Sequence, residues 1–267
     1  MRLTKLAAML MAAAFACLLS ACATIPLGPT IGEAPSAAQV VERLEARRMS
    51  VRAFGMRGEI VGKSARGEIS GESRIFGRFP DRLRAEIMGP FDKPVLLMAG
   101  DGVRLTVLAY SEGKAYVGPA TRANLARFLG LALTPAEAYT LLTGSVPLPE
   151  ADTGQIRGQV QLSSAPGLAL LRLNRRAGVD EGLIFGLGDY AVREAWLRQG
   201  GGGIGLNCRF DAFENPPQGR FPRRIELTDS DGRSLTLNND KLVINQDLDD
   251  RIFEIDIPPG LEVQNLD

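Results

Sequence analysis

The sequence predicts a mainly β protein: an antiparallel sheet, curved strongly enough to be barrel-like, with a helical cover over its apolar face. Three observations predict it. Most of the chain beyond residue 50 alternates apolar and polar side chains with period two. The candidate strands outnumber the roughly four to six of an ordinary sheet, which calls for curvature or closure. Two short amphipathic helices interrupt the strands in the middle of the chain.

The chain opens with Arg2 and Lys5, an apolar run from Leu6 to Leu19, and then Ser20, Ala21 and Cys22. That is the order of a secretory signal, and the run is shorter than the ~20 residues a spanning helix needs. A cysteine directly after the small pair can take up a diacylglyceryl thioether. Residues 1–21 are therefore expected to leave as a signal peptide, with the mature chain beginning at a lipidated Cys22. Residues 22–35, rich in Pro and Gly and without periodicity, read as a flexible tether. Fully extended, at ~3.3 Å per residue, it reaches about 40 Å.

Ser36 and Gln39 have capping-box spacing, and Val40, Val41 and Leu44 share a face opposite Glu42, Arg43 and Arg47, so a first helix is expected to about Arg48. From Val51 the period becomes two. Phe54, Met56, Gly58 and Ile60 alternate with Arg57 and Glu59; after a turn at Lys63 to Arg66, Ile69, Gly71, Ser73 and Ile75 face Glu68, Glu72 and Arg74. Leu83, Ala85 and Ile87 follow, then Val103, Leu105 and Val107 after the Asp101-Gly102 turn. The result is an antiparallel meander with one apolar face that something must cover. Helices at Thr121 to Leu131 and Thr134 to Leu142, carrying Leu125, Phe128, Leu129, Leu141 and Leu142, are the candidates, with Pro135 suited to a first turn. Strands resume at Ile156 to Leu162, Leu168 to Asn174, Val192 to Arg198, Ile204 to Phe213, Arg224 to Thr228, Ser234 to Asn238, Leu242 to Asn245 and Ile252 to Ile257. With no internal repeat and no break in composition, residues 36–267 are expected to form a single domain.

Composition restricts the chemistry. The 31 basic and 31 acidic side chains balance, and loss of Arg2 and Lys5 with the signal leaves a formal charge of minus two, so no nucleic-acid partner is implied. The chain has no histidine, which excludes His triads and His metal sites. Gly200 to Gly203 lacks the Lys-Ser/Thr of a phosphate loop and reads as a turn. Once Cys17 leaves and Cys22 is lipidated, Cys208 has no intramolecular disulfide partner and reads as a small buried apolar side chain. The expectation is a protein that is not an enzyme, with no catalytic residue, metal or cofactor.

The stretch Asp81 to Gly102 (DRLRAEIMGPFDKPVLLMAGDG), followed by Asn124 to Pro135, Leu141-Leu142-Thr143-Gly144, Phe221 to Asp229 and Ser234 to Leu237, resembles the LolB family of outer-membrane lipoprotein receptors. The resemblance spans most of the mature chain in the same order. It implies a curved, incompletely closed antiparallel β-barrel with a helical lid, enclosing an apolar cavity. It also implies a monomeric, lipid-anchored protein that faces the periplasm from the outer membrane. Such a receptor takes acylated lipoprotein cargo from a LolA-like periplasmic carrier and inserts it into the membrane. In that family a loop after the third strand exposes a hydrophobic residue needed for delivery; Pro90 and Phe91 fall there, with Phe where Leu is typical. Phe91 can point into the headgroup region or fold back on the rim. Candidate acyl-cavity residues are Phe54, Met56, Ile60, Leu83, Ile87, Leu105, Leu125, Phe128, Leu129 and Leu142. The tail from Arg251 to Asp267 extends past the usual end of the family and is expected to add a strand. A sensor of misplaced lipid or lipoprotein, or a structural outer-membrane lipoprotein, is the alternative role.

Overall fold

Ser36 Oγ accepts from the Gln39 N–H at 3.2 Å while Gln39 Oε1 accepts from the Ser36 N–H at 2.8 Å, and this reciprocal cap starts helix α1 (Ala37–Ser50). A computed structural model of the chain describes residues 34–64, 67–148, 158–174, 180–198, 205–216 and 219–267. The expected signal peptide, Cys22 and all but the end of the tether lie outside them, as do the glycines at 200–203.

After α1, β1 (Ala53–Ser64) and β2 (Gly67–Arg78) pair along their whole length, from Ala53 opposite Arg78 to Ser64 opposite Gly67. The meander continues through β3 (Arg82–Met88), β4 (Pro94–Gly100), β5 (Arg104–Ala109) and β6 (Lys114–Pro119). Helices α2 (Arg122–Leu129) and α3 (Pro135–Leu142) follow, capped by Thr121 and Thr134, with Pro135 in the first turn of α3. A second meander then runs through β7 (Gly158–Leu162), β8 (Leu168–Asn174), β9 (Asp180–Gly186) and β10 (Val192–Arg198). It ends with β11 (Gly205–Glu214), β12 (Phe221–Asp229) and β13 (Ser234–Ile244). Because β13 pairs antiparallel with β1, the two meanders fuse into one sheet, and β14 (Glu262–Asn265) adds in parallel to β6. Among the described residues the sheet has fourteen strands in the order β14-β6-β5-β4-β3-β2-β1-β13-β12-β11-β10-β9-β8-β7, and its two edges do not pair with each other. It is a curved, incompletely closed barrel.

The inner face packs by alternating bulk with glycine. Across the N-terminal half, register places Phe54, Gly77, Leu83, Gly100, Leu105 and Gly118 in one row. A Cβ on Gly77 would sit 2.3 Å from the Phe54 ring, and one on Gly118 2.5 Å from Leu266 Cβ, so the missing side chains make room for the large ones. The adjacent row is filled: Met56, Ile75, Ala85, Met98, Val107 and Tyr116, all buried. Burying such side chains is worth about 1.5–3 kcal/mol each.

Several strands differ from their sequence signals. β4 (PVLLMAG) buries neighbouring residues and so carries no clean alternation, while the sequence marks neither β6 nor β9. The two expected strands Ser234 to Asn238 and Leu242 to Asn245 are one strand, β13, interrupted by a bulge where Arg57 and Gly58 face Lys241 and Asn239. Ile252 to Ile257 is not a strand. The Asp249 side chain accepts from the Arg251 N–H and caps a 3-10 turn over Asp250–Phe253, Phe253 buries itself, and Pro258-Pro259 offers no N–H to a ladder. The tail does add a strand, later, as β14, and Leu266 is buried behind it.

Candidate functional site

Tracing the register around the sheet assigns its connections to two rims. One carries the β3–β4, β5–β6 and β12–β13 turns and the start of β7, where Ala37 at the head of α1 sits 3.1 Å from the position of a Gly158 Cβ. The described chain thus enters beside this rim. The other carries the β2–β3, β4–β5, β9–β10 and β11–β12 connections, and α1 reaches it at its C-terminal end, where Asn245 Nδ2 donates to the Ser50 carbonyl.

Between the rims lies the inner face. Phe54, Met56, Ile60, Leu83, Ile87, Leu105 and Leu125 are buried there in one apolar cluster, and Phe128, Leu129 and Leu142 pack against it half-buried. The ten residues expected to face a cavity are therefore gathered in one cluster. The helices hold the cover down: the Tyr139 hydroxyl donates to the Val51 carbonyl at 3.0 Å, its ring lies 5.4 Å from Phe54, and burial pushes its pKa up. Arg122 clamps Glu137 through two bonds of 2.5 and 2.6 Å, locking α2 to α3, and Phe128 packs 5.2 Å from Tyr116. Asn124 Nδ2 donates to the carbonyls of Pro119 and Asp267, tying the cover to the last residue. Polar side chains interrupt the apolar wall, Ser73, Asn239 and Glu181 among them. Ser73 donates to the Gly58 carbonyl, and the buried Asn239 amide makes no hydrogen bond to the described protein. Cys208 is buried, and burial raises its thiol pKa, leaving it inert.

At the first rim the β3–β4 turn presents Pro90 and Phe91. Phe91 is 94% exposed and sits at φ 62°, ψ 34°, with Asp92 at φ 55°. A left-handed conformation costs a bulky L residue of order 1–2 kcal/mol, and Phe91 recovers none of it by packing. The hairpin closes beneath it through the Gly89 N–H donating to the Lys93 carbonyl at 2.8 Å. Phe91 therefore does not fold back on the rim.

The second rim has two features that the sequence does not announce. A groove of about 1100 Å³ is lined by Met49, Arg52, Arg78, Phe79, Asn245 and Leu248 among others. Beside the β9–β10 and β11–β12 connections, Arg193 and Arg220 converge on Asp189, and Arg47 donates to the Arg220 carbonyl next to them. Among the described residues no cluster of His, Cys, Asp and Glu could hold a metal, and no helix is long and apolar enough to cross a membrane.

No protein-family model matches the chain, and no curated protein matches it in sequence. Its fold is similar to solved structures. A domain provisionally named for outer membrane lipoprotein sorting, from Vibrio parahaemolyticus, is 12% identical; the match covers 82% of this chain and 95% of that one with a TM-score of 0.53. A LolA superfamily protein from Nitrosomonas europaea is 16% identical, with 83% and 99% covered and a TM-score of 0.50. A DUF1329 family protein from Desulfovibrio piger is 11% identical, with 82% and 95% covered and a TM-score of 0.53. At these identities the likeness is one of fold.

Proposed function

We propose that this protein is a lipid-anchored acceptor of acylated lipoproteins, not an enzyme, working as a monomer at the periplasmic face of the outer membrane. Cargo passes from a LolA-like carrier onto the apolar inner face, with α2 and α3 moving as a lid, and from there into the bilayer. The reading is supported most by Phe91, an exposed aromatic held outward by its own backbone on the rim beside which α1 begins. Each acyl methylene left in water costs about 0.8 kcal/mol, so passing the chains between two apolar faces removes the main barrier without a nucleotide. Phe91 then contributes a shallow contact with the headgroup region, and the lipid on Cys22 supplies the second signal that stable attachment requires.

The test is transfer of a labelled lipoprotein from its carrier to the chain carrying Cys22→Ala, followed by liposomes. Cargo is expected to move onto the protein and then into the liposomes, and Phe91→Glu is expected to accept cargo but retain it. If a competent carrier gives up nothing, the acceptor reading fails.

A further inference from the structure

At the rim opposite Phe91, segments distant in sequence gather three guanidinium groups, two of them bonded to one carboxylate and the third to the Arg220 carbonyl beside it. Arg47 lies in the last turn of α1, and the i, i+4, i+7 spacing puts it on the face of the buried Val40 and Leu44, not on the opposite face expected from sequence; Asp189 lies between β9 and β10; Arg193 is in β10; Arg220 precedes β12. Asp189 Oδ2 accepts from Arg193 Nη2 at 2.8 Å and Arg220 Nη1 at 2.9 Å, while Oδ1 accepts from the Ala191 N–H at 2.9 Å. That one carboxylate is fully used, and two positive charges remain. Arg47 Nη2 donates to the Arg220 carbonyl, but Nε of Arg47 and Nε of Arg220 are buried without a hydrogen-bond partner among the described residues.

The cluster is built to hold its shape. Arg193 lies 4.1 Å and Arg220 5.2 Å from the centroid of the Phe213 ring, and Arg47 lies 5.0 Å from that of Phe221. Stacking on aromatic faces fixes the planes of the guanidinium forks. Gly186 permits the approach, since a Cβ there would fall 2.2 Å from Asp189 Oδ1. A staple joining α1 to the sheet needs one cation for its carboxylate; the surplus cations repel one another, and burial and Arg193 both push the Arg47 pKa down against Asp189. Arg193 and Arg220 keep 21% and 41% of their side chains in solvent, so an anion can reach them.

We infer that Arg47, Arg193 and Arg220 form a binding site for a phosphate group, free or as a phosphate ester. A tetrahedral anion offers oxygens in several directions to forks arriving from different elements, and a dianion matches the two uncompensated charges. This site goes beyond acyl acceptance, and either can fail without the other.

The experiment titrates the full chain with inorganic phosphate at constant ionic strength, with chloride as reference, reading both heat of binding and the thermal midpoint. Parallel titrations use dihexanoylphosphatidic acid, a phosphate monoester that can also carry two charges, below its micellar concentration. Phosphate is expected to bind and raise the midpoint. Arg220→Gln and Arg193→Gln are each expected to weaken it by about tenfold or more, as loss of one charge-assisted contact implies. Asp189→Asn, which keeps an acceptor for the Ala191 N–H, should bind phosphate more tightly while lowering the midpoint in chloride, a pair of opposite effects that a staple does not produce. Equal affinity for both ligands assigns the site to free phosphate; a gain of about tenfold or more for the lipid assigns it to a headgroup. No binding above chloride, unchanged binding in both arginine variants, or weaker binding by Asp189→Asn would overturn the inference.

Discussion

The two rims of the sheet spend their exposed chemistry in opposite ways. One holds a lone aromatic in solvent on a left-handed turn with nothing packed against it; the other gathers arginines from α1, β10 and the β11–β12 connection around a single carboxylate, each stacked on a ring. The lesson is that exposure alone says little about stability. Phe91 is the most exposed large apolar side chain among the described residues, yet the fold should not depend on it. Asp189 is inconspicuous in sequence, yet it joins Arg193 of β10 to Arg220 of the β11–β12 connection.

This contrast can be broken by mutation. The largest effect is expected for Asp189→Ala, which strands Arg193 and Arg220 without their shared partner: about 2 kcal/mol lost in urea unfolding, less than for a fully buried pair because a quarter of the carboxylate stays in solvent. On the inner face between the rims, Gly77→Ala drives a Cβ into the Phe54 ring and should cost about 1–3 kcal/mol by the same measurement. The acid limb of stability comes next. Burial alone would raise the Asp189 pKa, but the Ala191 N–H, Arg193 and Arg220 outweigh it and hold the carboxyl below its ordinary 3.8. A depressed folded-state pKa means stability that is complete above the unfolded value and fades as pH falls through the folded one. Stability should accordingly drop below about pH 4, and Asp189→Asn should flatten that drop in a pH series of unfolding curves. The smallest effect belongs to Phe91→Gly, which relieves the left-handed strain and should leave stability unchanged or raised by up to about 1 kcal/mol. A loss greater than that would mean that Phe91 packs after all and would remove the contrast between the rims.

Much of the fold was legible in the chain because the signals were local. Ser36 and Gln39 announce α1, Thr134 and Pro135 announce α3, and the alternation of Phe54, Met56 and Ile60 or of Leu83, Ala85 and Ile87 identifies the inner face. β4 escaped because consecutive Met98 and Ala99 are both buried, which erases the period. Asp249 and Pro258 outweighed the alternation at Ile252 to Ile257. The candidate lining residues could be chosen from periodicity and resemblance, but that α2 and α3 seal them in depends on Tyr139 reaching Val51 and Arg122 reaching Glu137, which no local pattern encodes. The arginine cluster was invisible for the same reason: its members share no motif and meet only when α1, β10 and β12 are in place.

The seam between β1 and β13 sets the order in which this molecule can be made. Phe54 lies opposite Ile244, so the first strand of the chain waits for nearly the last before its outer edge is paired. Each meander can zip up from neighbouring hairpins, but the seam is a contact between distant parts of the chain and should form late and slowly. Until it does, β1 offers an unpaired ladder beside a row of apolar side chains, the kind of edge that recruits another chain. The hazardous interval ends only when β13 has arrived, and the C-terminal quarter of the sequence therefore works as the closure that makes the rest safe.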